Sequence, residues 1–448
     1  MSRSRLAIAL TAPACLLLIL AASPAPAPQP AASPVALVGG RVFPVSGPPI
    51  EGGTVLIRDG RIEAVGKGIP VPADARKIDA SGQWVLPGLI DSRTHLGIWE
   101  VDLDEMSRDE DERSDPVTPQ ARVIDAFYDE SENIRVTRQT GVAAALVAPG
   151  DGNLINGQSA LVDLSGGDLD RVLLKFPVAM HFSLGEPPKA RYAARNQTPS
   201  TRMGSAALIR STLIQAREYL AKRDVYDRRV LECETGRPGR SKGRKEERCP
   251  PDVPARDLRM EALLPVLKGE VPAIFRAQRM DDILTAVRLA EEFHLRLILS
   301  HAAEGYKVAD LLDSRKIPVI VGPITTQPDR IETAGALYEN AARLHDAGVK
   351  IAIQTGQTSD ARVLPWEAGL AVAYGLPWDA ALRAVTLSPA EIFGVADRLG
   401  SLDRGKQANV IVTTGDPFQP LSHVRHLFIR GREVPLRCRQ DDLAEKYW

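Results

Sequence analysis

Residues Pro87-Gly88-Leu89-Ile90-Asp91-Ser92-Arg93-Thr94-His95-Leu96-Gly97 decide how the rest of the chain is read. The apolar run from Trp84 to Ile90 has the composition of a buried strand, and it ends in Asp91, Arg93, Thr94 and His95. A strand that closes on a carboxylate, a guanidinium and an imidazole carries its chemistry at one end of a sheet. His95 is able to ligate a metal ion. Arg93 stays protonated and is not.

Downstream, strand and helix alternate. Pro272 to Phe275 reads as a strand, and Asp282 to Phe293 as a helix with Ile283, Leu284, Val287 and Leu289 apolar. Leu295 to Leu299 is the next strand, closing on Ser300 and His301. A helix around Val308–Leu312, a strand from Ile317 to Val321, a helix through Ala334–Leu344 and a strand from Val349 to Thr355 follow. Continuous apolar strands joined by helical crossovers predict a parallel sheet buried on both faces. Roughly 300 residues of such units fit a (β/α)8 barrel of TIM type, an α/β fold; a doubly wound open sheet has the same periodicity.

The two ends of the chain are β-rich. Asp59-Gly60 between Thr54–Arg58 and Arg61–Val65 is a two-residue hairpin signal. Asn409–Thr413 and His426–Arg430 are strand-like, and the two end segments are expected to pair as a small composite β-sandwich. The expected division is a sandwich from residues 36–86 and 396–436 and a barrel from 87–395.

Hydrophobic residues make up 44% of the 448 and charged residues 25%, with a formal net charge of −1. Such a chain is globular, and nucleic acid or an anionic membrane surface is not its expected partner. Arg3 and Arg5 precede an apolar run from Leu6 to Ala22, the layout of a secretory signal over residues 1–25, followed by an Ala/Pro-rich tether over 26–35. The run is short for a membrane span, so no stable span is expected after signal removal. The mature chain is expected to be exported, periplasmic or secreted. Cys233 and Cys249 bracket a basic loop; a disulfide there would stabilise by about 3 kcal/mol in the chain-entropy model, and two free thiols are the alternative.

The segments GGRVFPVSG (39–47), GGTVLIRDGRIEAVG (52–66), VLPGLID (85–91) and TLSPAEIFGVADRLGSLDRGKQANVIV (386–412) together resemble an imidazolonepropionase-like, exported branch of the amidohydrolase superfamily. The resemblance covers almost the whole mature chain. It implies a barrel with His-x-His after the first strand, a carboxylated Lys after the fourth, His after the fifth and sixth, and Asp after the eighth. Those groups hold two ions that activate water.

Several of these positions differ here. The first His is Arg93 and the second is His95. The fourth strand, Phe176 to Met180, ends at His181 in place of Lys. Phe275-Arg276-Ala277-Gln278-Arg279 stands where relatives resemble His-Ala-His-Arg, the sixth strand keeps His301, and the eighth reads Gln354-Thr355-Gly356 in place of Gly-Thr-Asp, with Asp360 four residues on. Arg93, Arg276 and Gly356 cannot bind metal. What remains is at most a mononuclear zinc site on His95, His181 and His301, with no other cofactor implied. His181 and His301 are the candidate catalytic residues.

Arg93, Arg276, Gln278 and Arg279 form a candidate ligand-binding set, since guanidiniums bind carboxylate or phosphate bidentately. Internal pairing with Glu186, Asp91 or the acidic loop from Asp102 to Asp115 is the alternative. That loop otherwise reads as a solvated, mobile lid, and the run Gly150–Gln158 as the pocket floor. Two functions fit. One is hydrolysis of non-peptide C–N bonds, amide or cyclic amide, at a degraded binuclear site. The other is an inactive exported barrel that binds a small ligand, anions included. Metal-free hydrolysis, with His181 or His301 as base and the arginines facing an oxyanion, is a variant of the first.

Overall fold

The computed structural model describes residues 33–100, 105–235, 249 and 251–448. The predicted signal, the first part of the tether and the basic loop between the cysteines lie outside the described residues. The run beginning at Trp84 is two strands, Trp84–Pro87 and Leu89–Thr94 (β1), parted at Gly88. A Cβ on Gly88 would lie 2.4 Å from that of Ala143, so only glycine lets the chain pass there.

Trp84–Pro87 belongs to an eight-stranded sheet built from both ends of the chain. Its N-terminal members are Val35–Val42, Ile50–Arg58, Arg61–Gly66 and Arg76–Asp79, and its C-terminal members Val410–Thr413, Val424–Ile429 and Arg432–Glu433. Val410–Thr413 runs antiparallel to Trp84–Pro87, with Ile411 opposite Leu86, and this seam joins the two ends. The hairpin is as expected: Asp59 and Gly60 have φ of 50° and 76°, the double left-handed geometry of a type I′ turn. Leu37, Val55, Val85, Val410 and Phe428 share the apolar cluster of this sheet.

The α/β barrel is formed by β1, Val142–Val147 (β2), Ile155–Gln158 (β3), Ala160–Asp163 (β4), Met180–Ser183 (β5), Ala273–Ala277 (β6), Leu297–His301 (β7), Val319–Val321 (β8) and Ile351–Ile353 (β9). β1 pairs parallel with β2, and β5 to β9 pair parallel in order. The expected all-parallel sheet is interrupted once. β4 lies antiparallel to β2 and β3 antiparallel to β5, so the segment through Ser159 bridges the two sheets against the common direction. Only residues 148–154 separate β2 from β3, and a parallel return needs a dozen or more. On the far side, the Gly356 amide donates to the Arg93 carbonyl at 3.0 Å and links the last strand to the first.

Strand alternation sorts the side chains. Ile90, Ala144, Ile274, Ile298, Ile320 and Ala352 pack with Phe393 and Leu399 in one cluster. Phe182, Phe275, Leu299, Val319 and Ile351 pack in another, with Ile283 and Val287 of helix Met280–Phe293. On β6, Arg276 follows Ile274 by two residues and shares its face. The helix expected through Ala334–Leu344 is confined to Asn340–Asp346. Gly335 sits where a Cβ would meet Glu304 Oε1 at 2.2 Å, and the non-helical turn before it carries Glu332 into the barrel.

Cys233 and Cys249 are joined by a disulfide, with 5.9 Å between their Cα atoms. Among the described residues no helix is long and apolar enough to cross a membrane. Phe182 and Phe275, on neighbouring strands β5 and β6, stack with centroids 4.5 Å apart and are fully buried. Phe275→Ala is expected to lower stability by about 3–5 kcal/mol, read from the midpoint of urea unfolding with the denaturant slope unchanged.

Candidate active site

Two adjoining cavities open at the C-terminal ends of the strands, about 710 Å³ and 240 Å³, and both are lined by His301, Pro323 and Gln357. A hollow of about 830 Å³ lies at the opposite end, among Pro272, Leu297, Pro318 and Lys350. It is larger, but the titratable cluster described next is at the mouth, where barrels of this kind do their chemistry.

The centre of the cluster is Asp151, in the glycine-rich run after β2. Arg93 Nη2 donates to Asp151 Oδ1 at 2.9 Å and to the Pro149 carbonyl at 3.1 Å. The Ser183 hydroxyl also donates to Oδ1, at 3.1 Å. Arg276 Nε stands 3.7 Å and His301 Nε2 4.0 Å from Asp151 Oδ2. Arg276 is held in turn by Glu332, at 2.6 Å and 3.4 Å through its two terminal nitrogens. Glu332 is wholly buried and approaches so closely that a Cβ on Gly185 would lie 2.1 Å from its Oε1.

The arginines therefore pair internally, through Asp151 and Glu332 in place of the expected Glu186, Asp91 or acidic loop. Asp91 instead accepts from the Arg93 backbone amide and from the amide and hydroxyl of Thr355. In its described part the acidic loop is tied down, with Asp111 on Arg191 at 2.6 Å and Asp115 on Arg259 at 2.9 Å.

Of the candidate ligand-binding residues, Arg93 is 1% exposed and lines neither cavity. Arg279 precedes helix Met280–Phe293, pairs with Asp281 at 3.1 Å and also lines neither. Arg276 and Gln278 do line the larger one. His301 faces both cavities and His95 the smaller. His181 lies beneath them, buried, and its Nε2 has no hydrogen-bond partner among the described residues.

Hydrogen bonds fix two tautomers. His95 Nδ1 is 2.7 Å from the Ala148 carbonyl, which only accepts, so Nδ1 carries the proton and Nε2 the lone pair. For His301 the chain is longer. The Gln354 amide nitrogen donates to the Gly322 carbonyl at 2.7 Å, so its Oε1 faces Ser300 and accepts that hydroxyl at 3.1 Å. The single Ser300 proton is thereby committed, and His301 Nδ1, 3.0 Å from the same oxygen, must donate to it. The lone pair of His301 is on Nε2, on the side of Asp151. His301 and Ala302 hold φ of 71° and 49°, a costly backbone for non-glycine residues, which the surrounding contacts maintain.

Charge follows burial. Burial, then the Arg93 guanidinium, lowers His95 to about 4 and His181 to about 3. His301 falls well below the ordinary imidazole value, with burial again the largest cause. All three are neutral at pH 7. Burial opposes ionisation of Asp151, but the guanidiniums of Arg93 and Arg276 hold it well below the usual carboxylate range. Asp91 is pushed up to about 7, mainly by burial.

A metal does not fit this donor set. Among the described residues no group of three His, Cys, Asp or Glu side chains is arranged to hold an ion. The trio His95, His181 and His301 expected for zinc fails for a physical reason: the fixed charge of Arg93 stands among them and already satisfies the one central carboxylate. Asp151 and Glu332 were not singled out from sequence. The signal available for Asp151 was an acidic residue just after an apolar strand; Glu332 gave none.

A model of the amidohydrolase family matches residues 283–434. An amidohydrolase from Thermotoga maritima MSB8 of known structure is 33% identical, with a TM-score of 0.82 over 90% of this chain and 100% of its own. The amidohydrolase tasK of Hapsidospora irregularis is 28% identical over 384 residues, 82% of this chain. The chain spans 38% of that relative's length. An imidazolonepropionase of Vibrio cholerae is 49% identical over 43 residues, 10% of this chain and 11% of that protein.

Removing one partner of the central pair isolates the other. Arg93→Met is expected to lower stability by about 3–5 kcal/mol, more than Asp151→Asn/Arg93→Met together, since the double change leaves no unpaired charge. Proton linkage gives a second expectation. The three imidazoles bind protons only on unfolding below about pH 6.5, so they cost the fold stability as pH falls, each by up to about 1.4 kcal/mol per pH unit. Asp91, raised to about 7, acts oppositely and loses stability as pH rises from its unfolded value to that point. Read from pH 6.5 to 4.5 in denaturant titrations, the imidazole contribution makes stability fall with pH. His95→Asn should flatten that slope; a slope equal to wild type would contradict the neutral imidazole.

Proposed function

This chain belongs to the amidohydrolase family, and we propose that it hydrolyses a non-peptide C–N bond, of an amide or cyclic amide, in the mouth of the barrel. The observation that carries this is His301, whose strained backbone and committed Nδ1 leave a lone pair on Nε2 at the wall of both mouth cavities. In this reading Nε2 takes a proton from water as the oxygen attacks the carbonyl carbon. Arg276, on the same wall, faces the oxygen as it becomes negative. Collapse of the adduct breaks the C–N bond, and the proton on His301 passes to the departing nitrogen. Asp151 stabilises the imidazolium formed between the two transfers.

The finer reading is an imidazolonepropionase-like, exported protein whose family metal ligands have been replaced. Its motifs support the first part, Arg93 and Arg276 the last, and the disulfide, suited to an oxidising compartment, supports periplasmic or secreted residence. A second reading, a non-catalytic barrel retained for small-molecule binding, is favoured by one observation: the Arg93–Asp151 pair stands where the relatives' chemistry would be.

The test is a screen of linear and cyclic amides with the purified chain, with metal content measured on the same sample. Under the hydrolase reading turnover should fall by about 10²–10⁴-fold in His301→Gln. About one equivalent of zinc, lost on His301→Ala, would defeat the metal-free site. Amides that bind and are never cleaved would leave the second reading standing.

A further inference from the structure

Arginines at a barrel mouth suggest an anionic ligand, but the charges that line the larger cavity are already committed. Arg276 is neutralised by Glu332, and Arg330 by Asp329 at 3.1 Å. Arg93 and Arg279 do not reach the cavity. Glu367 is occupied by the amides of Ile324 and Thr325 and the hydroxyl of Thr325. One charge is left over, and it is negative: Asp360, exposed on the 3-10 turn Ser359–Val363, has no ion-pair partner among the described residues.

Trp366 lines the same cavity six residues on, at the start of helix Leu364–Ala373. Trp366 is 49% exposed and its ring makes no aromatic or cation contact among the described residues. On a cavity wall an indole offers a ligand a large apolar face. An indole face and a free carboxylate in one pocket share a preference, for a cation with an apolar body. Thr326, Gln327 and Gln357, also on the wall, are uncharged.

We propose that the mouth binds a small ligand carrying an ammonium group, with its apolar part against Trp366 and its charge toward Asp360. This rests on the mouth being the reactive cavity, and it names the substrate class that cavity would take: an amide whose molecule bears a protonated amine. It also reverses the anionic expectation drawn from the arginines alone.

Three probes of one shape test it with the full chain: benzylammonium, benzyl alcohol and benzoate, titrated at pH 7 by ligand-observed NMR. Benzylammonium should bind about fivefold more tightly than benzyl alcohol, and benzoate most weakly. Asp360→Asn should abolish the preference for the cation and leave benzyl alcohol unchanged, and Trp366→Leu should weaken both. Benzoate binding as well as benzylammonium overturns the proposal. So does a lack of preference for benzylammonium, whether the probes bind alike or none binds, and so does a preference that survives both substitutions. Because the readout is binding, the hydrolase reading fails separately, if a cationic amide is bound by this chain and never cleaved.

Discussion

The pair between buried Arg93 and half-buried Asp151 is the constraint on which the mouth depends. One partner ends β1 and the other follows β2, and Asp151 also draws Arg276 of β6 and His301 of β7 toward it. Taking a guanidinium and a carboxylate out of water costs several kcal/mol per ion, so the pair holds only because further bonds satisfy both ends. The Pro149 carbonyl serves Arg93, and the Ser183 hydroxyl serves Asp151. This pair sets the charge of everything around it. The positive Arg93 helps keep His95 and His181 deprotonated, and Asp151 stays ionised among them.

The packing of the barrel is separate from this pair. The apolar cluster of Ile90, Ile274, Ile298, Ile320 and Phe393 carries the packing, and none of these residues lines a mouth cavity. Function resides in the few side chains above that layer. A guanidinium delivers positive charge to a strand end without needing three donors to converge on it. The cost is mobility, because a charge fixed in a hydrogen-bonded pair cannot move with a reacting group. Proton transfer here falls to a group outside those pairs, His301 Nε2, while Arg276 and Asp151 act as fixed charges beside it.

Much of this was legible in the sequence, and the exceptions have physical reasons. The strand end at Asp91–His95, the Asp59-Gly60 hairpin and the return of the C-terminal strands are local signals, written in apolar runs and turn residues. The antiparallel segment through Ser159 was not legible as such, because strand direction depends on connection length and pairing partners rather than on periodicity. Asp151 was passed over because a glycine-rich run reads as loop, and nothing local says that a loop carboxylate after β2 will meet an arginine of β1. Glu332 lay in the connection just before a stretch read as helix, and nothing in that connection marked it as buried.

The hydrogen-bond chain from Gly322 through Gln354 and Ser300 to His301 shows where the limit lies. Each member is an ordinary residue, and no spacing rule joins positions 300, 322 and 354. They meet because β7, β8 and β9 are neighbours in the sheet, so their C-terminal ends share one edge of the mouth. Only that juxtaposition decides which imidazole nitrogen carries the proton. A strand order that placed Gln354 elsewhere would leave the Ser300 hydroxyl free to turn toward His301 and donate to it, moving the imidazole proton to Nε2. The direction of the lone pair is therefore a property of strand order, and the sequence alone holds it only through the fold.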